Sequence, residues 1–133
     1  MVQTAEELTI QQVAEDTGLT VHTLRYYERA GLLSPVARNE GGHRRYTRED
    51  VGFLVFLNRL RTTGMPIQGV RRYAELVREG AHTVDARRAL LEAHRDAVRR
   101  HMDELARNLD VLDRKIDLYE CGAYNAPMTV RCL

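Results

Sequence analysis

The sequence contains no tryptophan, one lysine and only two cysteines, and it has no long apolar run. Both cysteines fall within the last thirteen residues, too few and too local for a disulfide framework in a reducing compartment. No stretch approaches the roughly 18 apolar residues that span a bilayer, and the first residues lack the basic and apolar regions of a secretory signal. Phosphate loops, H-E-x-x-H and nucleophile motifs are also missing. We therefore expect a cytoplasmic protein that is not an enzyme and has no membrane partner.

Basic charge is concentrated in one part of the chain. The 133 residues are 44% hydrophobic and 29% charged, as in folded globular proteins. Residues 1–18 carry a net charge of −4, residues 19–72 carry +6 and residues 73–133 carry −1. Nineteen of the twenty basic residues are arginines, which can fork onto phosphates or guanine edges. An anionic partner such as a nucleic-acid backbone is therefore expected along the middle segment.

Two short helices joined by a tight turn are predicted at the start. Thr9 and Thr20 each precede a short apolar pattern and are suitable N-caps, while Gly18 and Gly31 are suitable stops. Leu24 falls on the inner face of the second helix. Two helices separated by a short turn containing glycine form the helix-turn-helix layout.

The next segments predict a hairpin or loop and two further helices. Residues 32–46, LLSPVARNEGGHRRY, lose helical periodicity and contain proline and glycine. Thr47 with Asp50 is a capping signal for a third helix that ends near Thr62. A fourth helix is expected over residues 67–78. The fold class is therefore all-α with a small wing.

A long helix is predicted from Thr83 to Glu120, which contains no glycine or proline. Apolar residues recur every seven positions, with a second set four residues after the first, and form a narrow seam that needs a partner helix. The predicted dimerisation residues are Leu91, Val98, Met102, Leu105, Leu109, Leu112, Ile116 and Tyr119. The simplest partner is a second copy of the chain, which predicts a homodimer.

The segment TLRYYERAGL, followed by RNEGGHRRY and then by a long helix, resembles the mercury-resistance regulator (MerR) family of bacterial transcription factors. The resemblance covers essentially the whole chain. It implies a winged helix-turn-helix head and an antiparallel coiled-coil homodimer. It also implies a near-palindromic promoter operator in double-stranded DNA, which the dimer distorts for RNA polymerase when it senses an effector. The implied domains are a DNA-binding head over 1–80, a dimerisation helix over 81–120 and a tail over 121–133 as the candidate effector region.

The second helix supplies the first group of candidate DNA contacts, because its polar residues lie within little more than one turn. Arg25 can pair with a guanine edge, or alternatively form an ion pair with Glu28 or Glu49. Tyrosine hydroxyls can donate to phosphates, although the second tyrosine fits the core equally well. These candidates are His22, Thr23, Arg25, Tyr26 and Tyr27.

The hairpin and the third helix supply the second group. Arg44 and Arg45 follow two glycines that allow close approach to DNA, with a solvated charged loop as the alternative. His43 stands where the family usually has an aromatic residue. Tyr46 either contacts DNA or packs under the wing. Arg61 matches a phosphate contact implied by the resemblance.

The effector remains open among three interpretations. Metal-sensing relatives place two cysteines after the dimerisation helix, so Cys121 and Cys132 are candidate thiolate ligands for a soft metal ion as cofactor. The segments RRYAELVREGAHTVDARRALLEAHR and LDRKIDLYE are closer to the aldehyde- and nitrosative-stress regulators, but Arg59 stands where those proteins have a cysteine. A thiol-reactive stress sensor using Cys121 is the second interpretation, and unreactive tail cysteines are the third.

Two other classes of protein compete with a transcriptional regulator. A DNA-architectural, excisionase-like module shares the winged head, but it does not usually need a dimer helix of this length. A metal-buffering protein with incidental DNA affinity is the other rival. The long helix and the basic head together favour the regulator.

Overall fold

The chain folds into five α-helices over the described part of the sequence. The computed structural model describes residues 7–33, 41 and 45–132. The helices are α1 (Ile10–Thr17), α2 (Val21–Arg29), α3 (Arg48–Thr62), α4 (Ile67–Glu79) and α5 (Val84–Glu120), with a 3₁₀ turn at Ala81–Thr83 before α5. No β-strand occurs within these ranges, and the one extended pairing is an isolated antiparallel bridge between Leu8 and Tyr46. The predicted all-α class is confirmed.

Threonine caps fix where the first three helices begin. The side chain of Thr9 accepts a hydrogen bond from the backbone N–H of Gln12, and Thr20 does the same for Thr23. Thr47 and Asp50 form the predicted reciprocal capping box at the start of α3. These contacts satisfy N–H groups that have no partner within the helix. The predicted starts of all three helices are confirmed.

The turn between α1 and α2 depends on Gly18. Its φ is +74°, in the left-handed region that residues with a side chain rarely adopt. Its N–H donates to the carbonyl of Ala14 at 2.9 Å, which closes the last turn of α1. The chain can therefore reverse direction and start α2 three residues later.

The first compact unit ends at Leu91 and has one hydrophobic core. Leu24 and Leu54 are fully buried, as their helical positions predict. Fully burying such a side chain contributes roughly 1.5–3 kcal/mol. The core consists of Leu8, Val13, Leu24, Tyr27, Leu32, Leu33, Tyr46, Leu54, Leu57, Leu60, Met65 and Val70. Leu90 and Leu91 pack against it, so this unit extends beyond residue 80, the predicted end of the head.

The connection from α4 to α5 is fixed by hydrogen bonds around Gly80. This residue has a φ of +115°, which favours glycine. The guanidinium of Arg87 donates to the Gly80 carbonyl at 2.7 Å and to the Thr83 hydroxyl at 2.9 Å. The first turn of α5 is thereby tied to the end of α4.

The second compact unit begins at Glu92 and contains the rest of α5 and the tail. Residues 121–132 form turns without regular structure, as predicted. They fold back over Leu118, which is 1% exposed. Cys121 and Cys132 are joined by a disulfide, a covalent link that the sequence did not predict. Across the described ranges, no helix combines the length and apolarity needed to cross a membrane.

Candidate nucleic-acid interface

Helix α2 has one buried face and one polar face. Leu24 and Tyr27 point into the core, three residues apart. Four exposed residues share the opposite side at helical spacings of three, four and seven. We call this group the α2 face, and its members are His22, Arg25, Tyr26 and Arg29. A helix that presents two arginines, an imidazole and a phenol on one side matches the donors used to read DNA.

Arg29 is a member of this face that sequence reasoning missed. It lies seven residues after His22 and four after Arg25, so helical spacing alone would have identified it. Arg29 is exposed and is the last residue of α2. The α2 face therefore carries two positive charges rather than the one predicted.

The side chain of Arg25 is exposed and available for a contact with DNA. It is exposed, and among the ion pairs formed by described residues none includes Arg25. None of these pairs joins Arg25 to Glu28 or Glu49, the predicted alternative. By contrast, Arg48 pairs with Asp16 at 3.7 Å. The guanidinium of Arg25 thus faces solvent with its donors available for a base edge or phosphate.

Thr23 belongs to the N-cap of α2 and is only half-buried. Its hydroxyl lies 2.9 Å from that of Thr20, and its backbone N–H donates to the same hydroxyl at 3.1 Å. These bonds hold the start of the helix. Thr23 stays a predicted DNA contact, with its hydroxyl already engaged in the cap.

Two of the predicted DNA-contacting tyrosines are placed in the core instead. Tyr27 is 1% exposed, and its hydroxyl lies 3.5 Å from the amide oxygen of Asn58. Tyr46 is fully buried, and its backbone forms both hydrogen bonds of the bridge to Leu8, at 2.7 and 2.8 Å. A buried ring cannot present its hydroxyl to a phosphate. Burial of both rings therefore favours the core role that the sequence left open for Tyr27 and Tyr46, and Tyr26, which is 36% exposed, stays the tyrosine predicted to contact DNA.

Arg61 lies beside α2 although it belongs to α3. It is exposed near the end of α3, and its guanidinium carbon sits 5.8 Å from the centroid of the Tyr27 ring. This cation–π contact fixes an arginine from the third helix on the ring that anchors the second. Arg61 can therefore contribute a positive charge next to the α2 face.

The hairpin candidates are described only in part. His43 and Arg44 lie outside the described residues. Arg45 is half-buried, and its Nε lies 3.9 Å from the carboxylate of Glu7. That carboxylate offsets part of its charge, so Arg45 is less available to DNA than Arg25 is.

The exposed stripe on α5 is a second candidate surface, within the second compact unit. Six of the predicted seam residues are between 52% and 63% exposed: Met102, Leu105, Leu109, Leu112, Ile116 and Tyr119. Leu91 and Val98, at the start of the seam, are half-buried. An apolar stripe of this length exposed to water indicates an interaction surface.

The tail cysteines do not offer the predicted thiolate pair. The bond between Cys121 and Cys132 leaves neither sulfur with the negative charge that a soft metal ion prefers. Within the described ranges, no group of three or more potential metal ligands is assembled. The predicted soft-metal site is therefore not present in the bonded form.

Two family profiles match the chain. Residues 8–76 match the profile described as MerR HTH family regulatory protein, and residues 53–115 match the one described as MerR, DNA binding. The HTH-type transcriptional regulator AdhR of Bacillus subtilis strain 168 is 44% identical over 84 residues. That match covers 63% of this chain and 60% of AdhR, so it spans less than two thirds of the curated relative.

Two solved structures share the fold over most of their length. A MerR family transcriptional regulator from Listeria monocytogenes is 40% identical with a TM-score of 0.80, and the match covers 85% of this chain and 86% of that one. HiNmlR, described as a MerR family regulator lacking the sensor domain and bound to promoter DNA, is 35% identical with a TM-score of 0.82. That match covers 92% of this chain and 98% of HiNmlR. The helix-turn-helix head and long C-terminal helix are therefore shared with these regulators.

Proposed function

Because this chain belongs to the MerR family, which consists of DNA-binding transcriptional regulators and not of enzymes, we propose that it acts as a homodimer on a palindromic promoter operator. The dimer distorts the operator in response to an effector and thereby changes transcription by RNA polymerase. The observation that carries this proposal is the α2 face, where Arg25 and Arg29 are exposed on the second helix of a helix-turn-helix.

The dimensions of α2 suit a major groove. Its nine residues give a length of about 13 Å, and the groove of B-DNA is about 12 Å wide. Arg25 lies in the middle of the helix and can pair with the O6 and N7 atoms of guanine. His22 lies one turn earlier, toward the helix start, where recognition helices commonly contact bases. Arg61 adds a phosphate contact that positions the helix without reading sequence.

A single head offers few base contacts, so a second half-site is needed for strong specificity. The exposed α5 stripe supplies the means of bringing two heads together. Packed against the same stripe of a second copy, these side chains form a continuous apolar seam. Two-fold symmetry of the protein then matches a palindromic operator.

The charge along α5 favours an antiparallel dimer. Residues 84–100 carry five arginines and three acidic residues, a net charge of +2. Residues 101–120 carry three basic and six acidic residues, a net charge of −3. Antiparallel packing places each positive segment beside the partner's negative segment, whereas parallel packing places like charges together.

DNA binding by titration tests this proposal. The fluorescence anisotropy of the labelled promoter fragment beside the protein's own gene is compared with that of a scrambled fragment at one fixed salt concentration. We expect at least about a thousandfold preference for the promoter. Arg25→Ala should lower promoter affinity about tenfold or more and scrambled-DNA affinity less. Arg107→Ala, an exposed arginine of α5, is the matched control and should change neither. Equal affinity for both fragments, or an unchanged preference in Arg25→Ala, contradicts the proposal.

A transcription assay on the same promoter tests the effector response. Copper, zinc, an aldehyde and an oxidant are each added to the wild type and to the double variant Cys121→Ser/Cys132→Ser. A change in transcript level with one agent is expected, and loss of that change in the variant places the sensor in the tail. Unchanged transcription with and without the protein contradicts regulation of this promoter.

A further inference from the structure

The end of α5 and the tail form a closed unit around one leucine. The N–H of Ala123 donates to the carbonyl of Leu118 at 2.8 Å, which turns the chain back on the helix. The Nζ of Lys115 donates to the carbonyl of Tyr124 at 3.0 Å. The rings of Tyr119 and Tyr124 stack with centroids 5.7 Å apart. Together with the disulfide, these contacts define what we call the closed tail, residues 121–132.

The closed tail covers the side of α5 that carries Leu118, and it touches the apolar seam at Tyr119, whose ring stacks on that of Tyr124. Leu118 follows Ile116 by two residues, which at about 100° per residue places it on the other side of the helix. Leu118 is 1% exposed, whereas Ile116 is 53% exposed. Opening the tail would therefore expose a leucine to water while leaving most of the dimer seam unchanged.

The disulfide borders an open cavity of about 630 Å³. The cavity lies within the second compact unit, and its polar lining includes Asp110, Arg114, Asp117 and Arg131. Both cysteine residues line it and both are exposed. A cavity of this size accommodates a small organic molecule, so there is room for a low-molecular-weight thiol beside the disulfide.

We propose that Cys121 and Cys132 form a reversible thiol–disulfide modification site whose substrates are low-molecular-weight thiols and disulfides. The state of this bond decides whether residues 121–132 are folded on α5. The sequence has no other cysteine, so intramolecular disulfide chemistry in this chain is confined to this pair. Treating the closed tail as the sensory input of a regulator rests on the function proposed above, whereas the modification itself does not.

The exchange reaction balances without a metal or other cofactor. A thiolate attacks one sulfur of the protein disulfide, so a new S–S bond forms, the Cys121–Cys132 bond breaks, and the displaced sulfur leaves as a thiolate that takes up a proton. A second thiol attacks the mixed disulfide and releases the other cysteine. Two electrons pass from two small thiols to the protein, and one small disulfide is the oxidised product. The reverse reaction, with a small disulfide as oxidant, closes the tail.

Noncovalent contacts alone hold the tail after reduction. They include the hydrogen bonds of the Ala123 N–H to the Leu118 carbonyl and of Lys115 to the Tyr124 carbonyl, and the contact of Cys132 Sγ with the Asp117 carbonyl at 3.1 Å. The stacked rings of Tyr119 and Tyr124 and the burial of Leu118 complete this set. Residues 121–132 provide no helix or strand that would fold independently. Breaking the bond releases the far end of the tail, so the amides of its first residues should open more often.

The test uses the full chain equilibrated with either glutathione disulfide or dithiothreitol. Intact-mass measurement after iodoacetamide treatment counts free thiols, and hydrogen–deuterium exchange follows the N–H groups of Cys121, Gly122 and Ala123. We expect no alkylated thiol in the oxidised protein and two in the reduced one. Exchange at these three amides should accelerate at least tenfold on reduction. Exchange along 102–112 should not change.

The double variant Cys121→Ser/Cys132→Ser is the matched control, because serine is close to cysteine in size. It should show the fast exchange of the reduced protein under both conditions. Two alkylatable thiols after oxidation, disulfide-linked dimers in place of the internal bond, or equal tail exchange in both states each overturn the proposal. Promoter affinity measured on the same samples distinguishes the proposed regulatory function from the proposed modification site. If the protein shows no promoter preference in either redox state, the proposed function is contradicted. The thiol count and the exchange rates decide the modification site independently of that result.

Discussion

The guanidinium of Arg61 in α3 rests on the ring of Tyr27 in α2, 5.8 Å from its centroid. The tyrosine ring is buried, and its hydroxyl lies near the Asn58 side chain, also in α3. One residue of the core thus connects the second helix to the third and supports a cation at the surface between them. Substitution of Tyr27 should therefore change both the free energy of unfolding and the affinity for DNA, and the two changes can be measured separately.

Tyr27→Phe should leave DNA binding nearly intact. It removes only the hydroxyl, whose 3.5 Å contact to Asn58 is long, and a typical hydrogen bond contributes about 0.5–1.5 kcal/mol. Tyr27→Leu also removes the ring under Arg61, and a cation–π contact at an exposed site is worth about 0.5–1 kcal/mol. Urea denaturation and promoter anisotropy should show a larger loss of both quantities for leucine. Equal weakening of promoter binding by both substitutions would mean that the hydroxyl itself contacts DNA.

Arg61→Ala should weaken binding to promoter and scrambled DNA alike. A phosphate contact carries no sequence information, and its loss should reduce the slope of log K against log salt by about 1. Arg61→Lys should retain most of the slope because it keeps the charge. The measurement is anisotropy at five or more salt concentrations. An unchanged slope in Arg61→Ala would exclude this residue from the phosphate contacts.

Arg29→Ala should lower promoter affinity by roughly tenfold if it contacts a base edge as Arg25 does. Its exposure at the end of the α2 face makes a folding defect small, which the thermal midpoint can check. Binding to scrambled DNA distinguishes the two kinds of contact: a base contact changes it less than promoter binding, and a phosphate contact changes both equally. Wild-type affinity for both DNAs would remove Arg29 from the interface.

Leu109→Asp should convert a dimer into a monomer. The side chain is 58% exposed in the single chain, so the substitution costs little there, but in the dimer seam it would bury a charge. Val111→Asp is the control, because Val111 is 49% exposed and lies two residues away, on the far side of α5. Light scattering during size exclusion should give the dimer mass for Val111→Asp. A monomeric wild type, or a dimeric Leu109→Asp, would contradict the predicted seam.

Thr47→Ala should destabilise the head by about 0.5–2 kcal/mol, because the N–H of Asp50 loses its side-chain acceptor. Thr47→Ser retains the hydroxyl and should cost much less. Denaturant midpoints measured at one pH and one salt concentration give the difference. Equal stability of the alanine and serine variants would show that the capping hydrogen bond contributes little to the free energy of unfolding.

The helices were predictable because their signals are local. Thr9, Thr20 and Thr47 each lie within three residues of the amide that they cap. The seam of α5 was predictable for a similar reason, since a seven-residue repeat needs only the helix itself. Arg29 was also within reach of the sequence, because its spacing from His22 is that of one helix face.

The sequence left one role open and missed one covalent link. Tyr27 was weighed both as a core residue and as a DNA contact, and its spacing of three residues from Leu24 already favoured the core. The missed link depends on contacts between distant segments: Cys121 and Cys132 are eleven residues apart, and they meet because the tail folds over Leu118. No short pattern in the sequence encodes that fold. The tail was expected to be irregular, and it is, but irregular backbone can still be tightly constrained.

The bridge between Leu8 and Tyr46 has a consequence for the order of folding. It ties together the two ends of a loop of about 38 residues, and closing a flexible loop of that length costs roughly 3 kcal/mol in chain entropy. Two backbone hydrogen bonds are too few to offset this cost, so closure requires the core under α1, α2 and α3 to have formed first. The helix-turn-helix should therefore assemble before the bridge between Leu8 and Tyr46 closes, and destabilising this bridge should mainly accelerate unfolding.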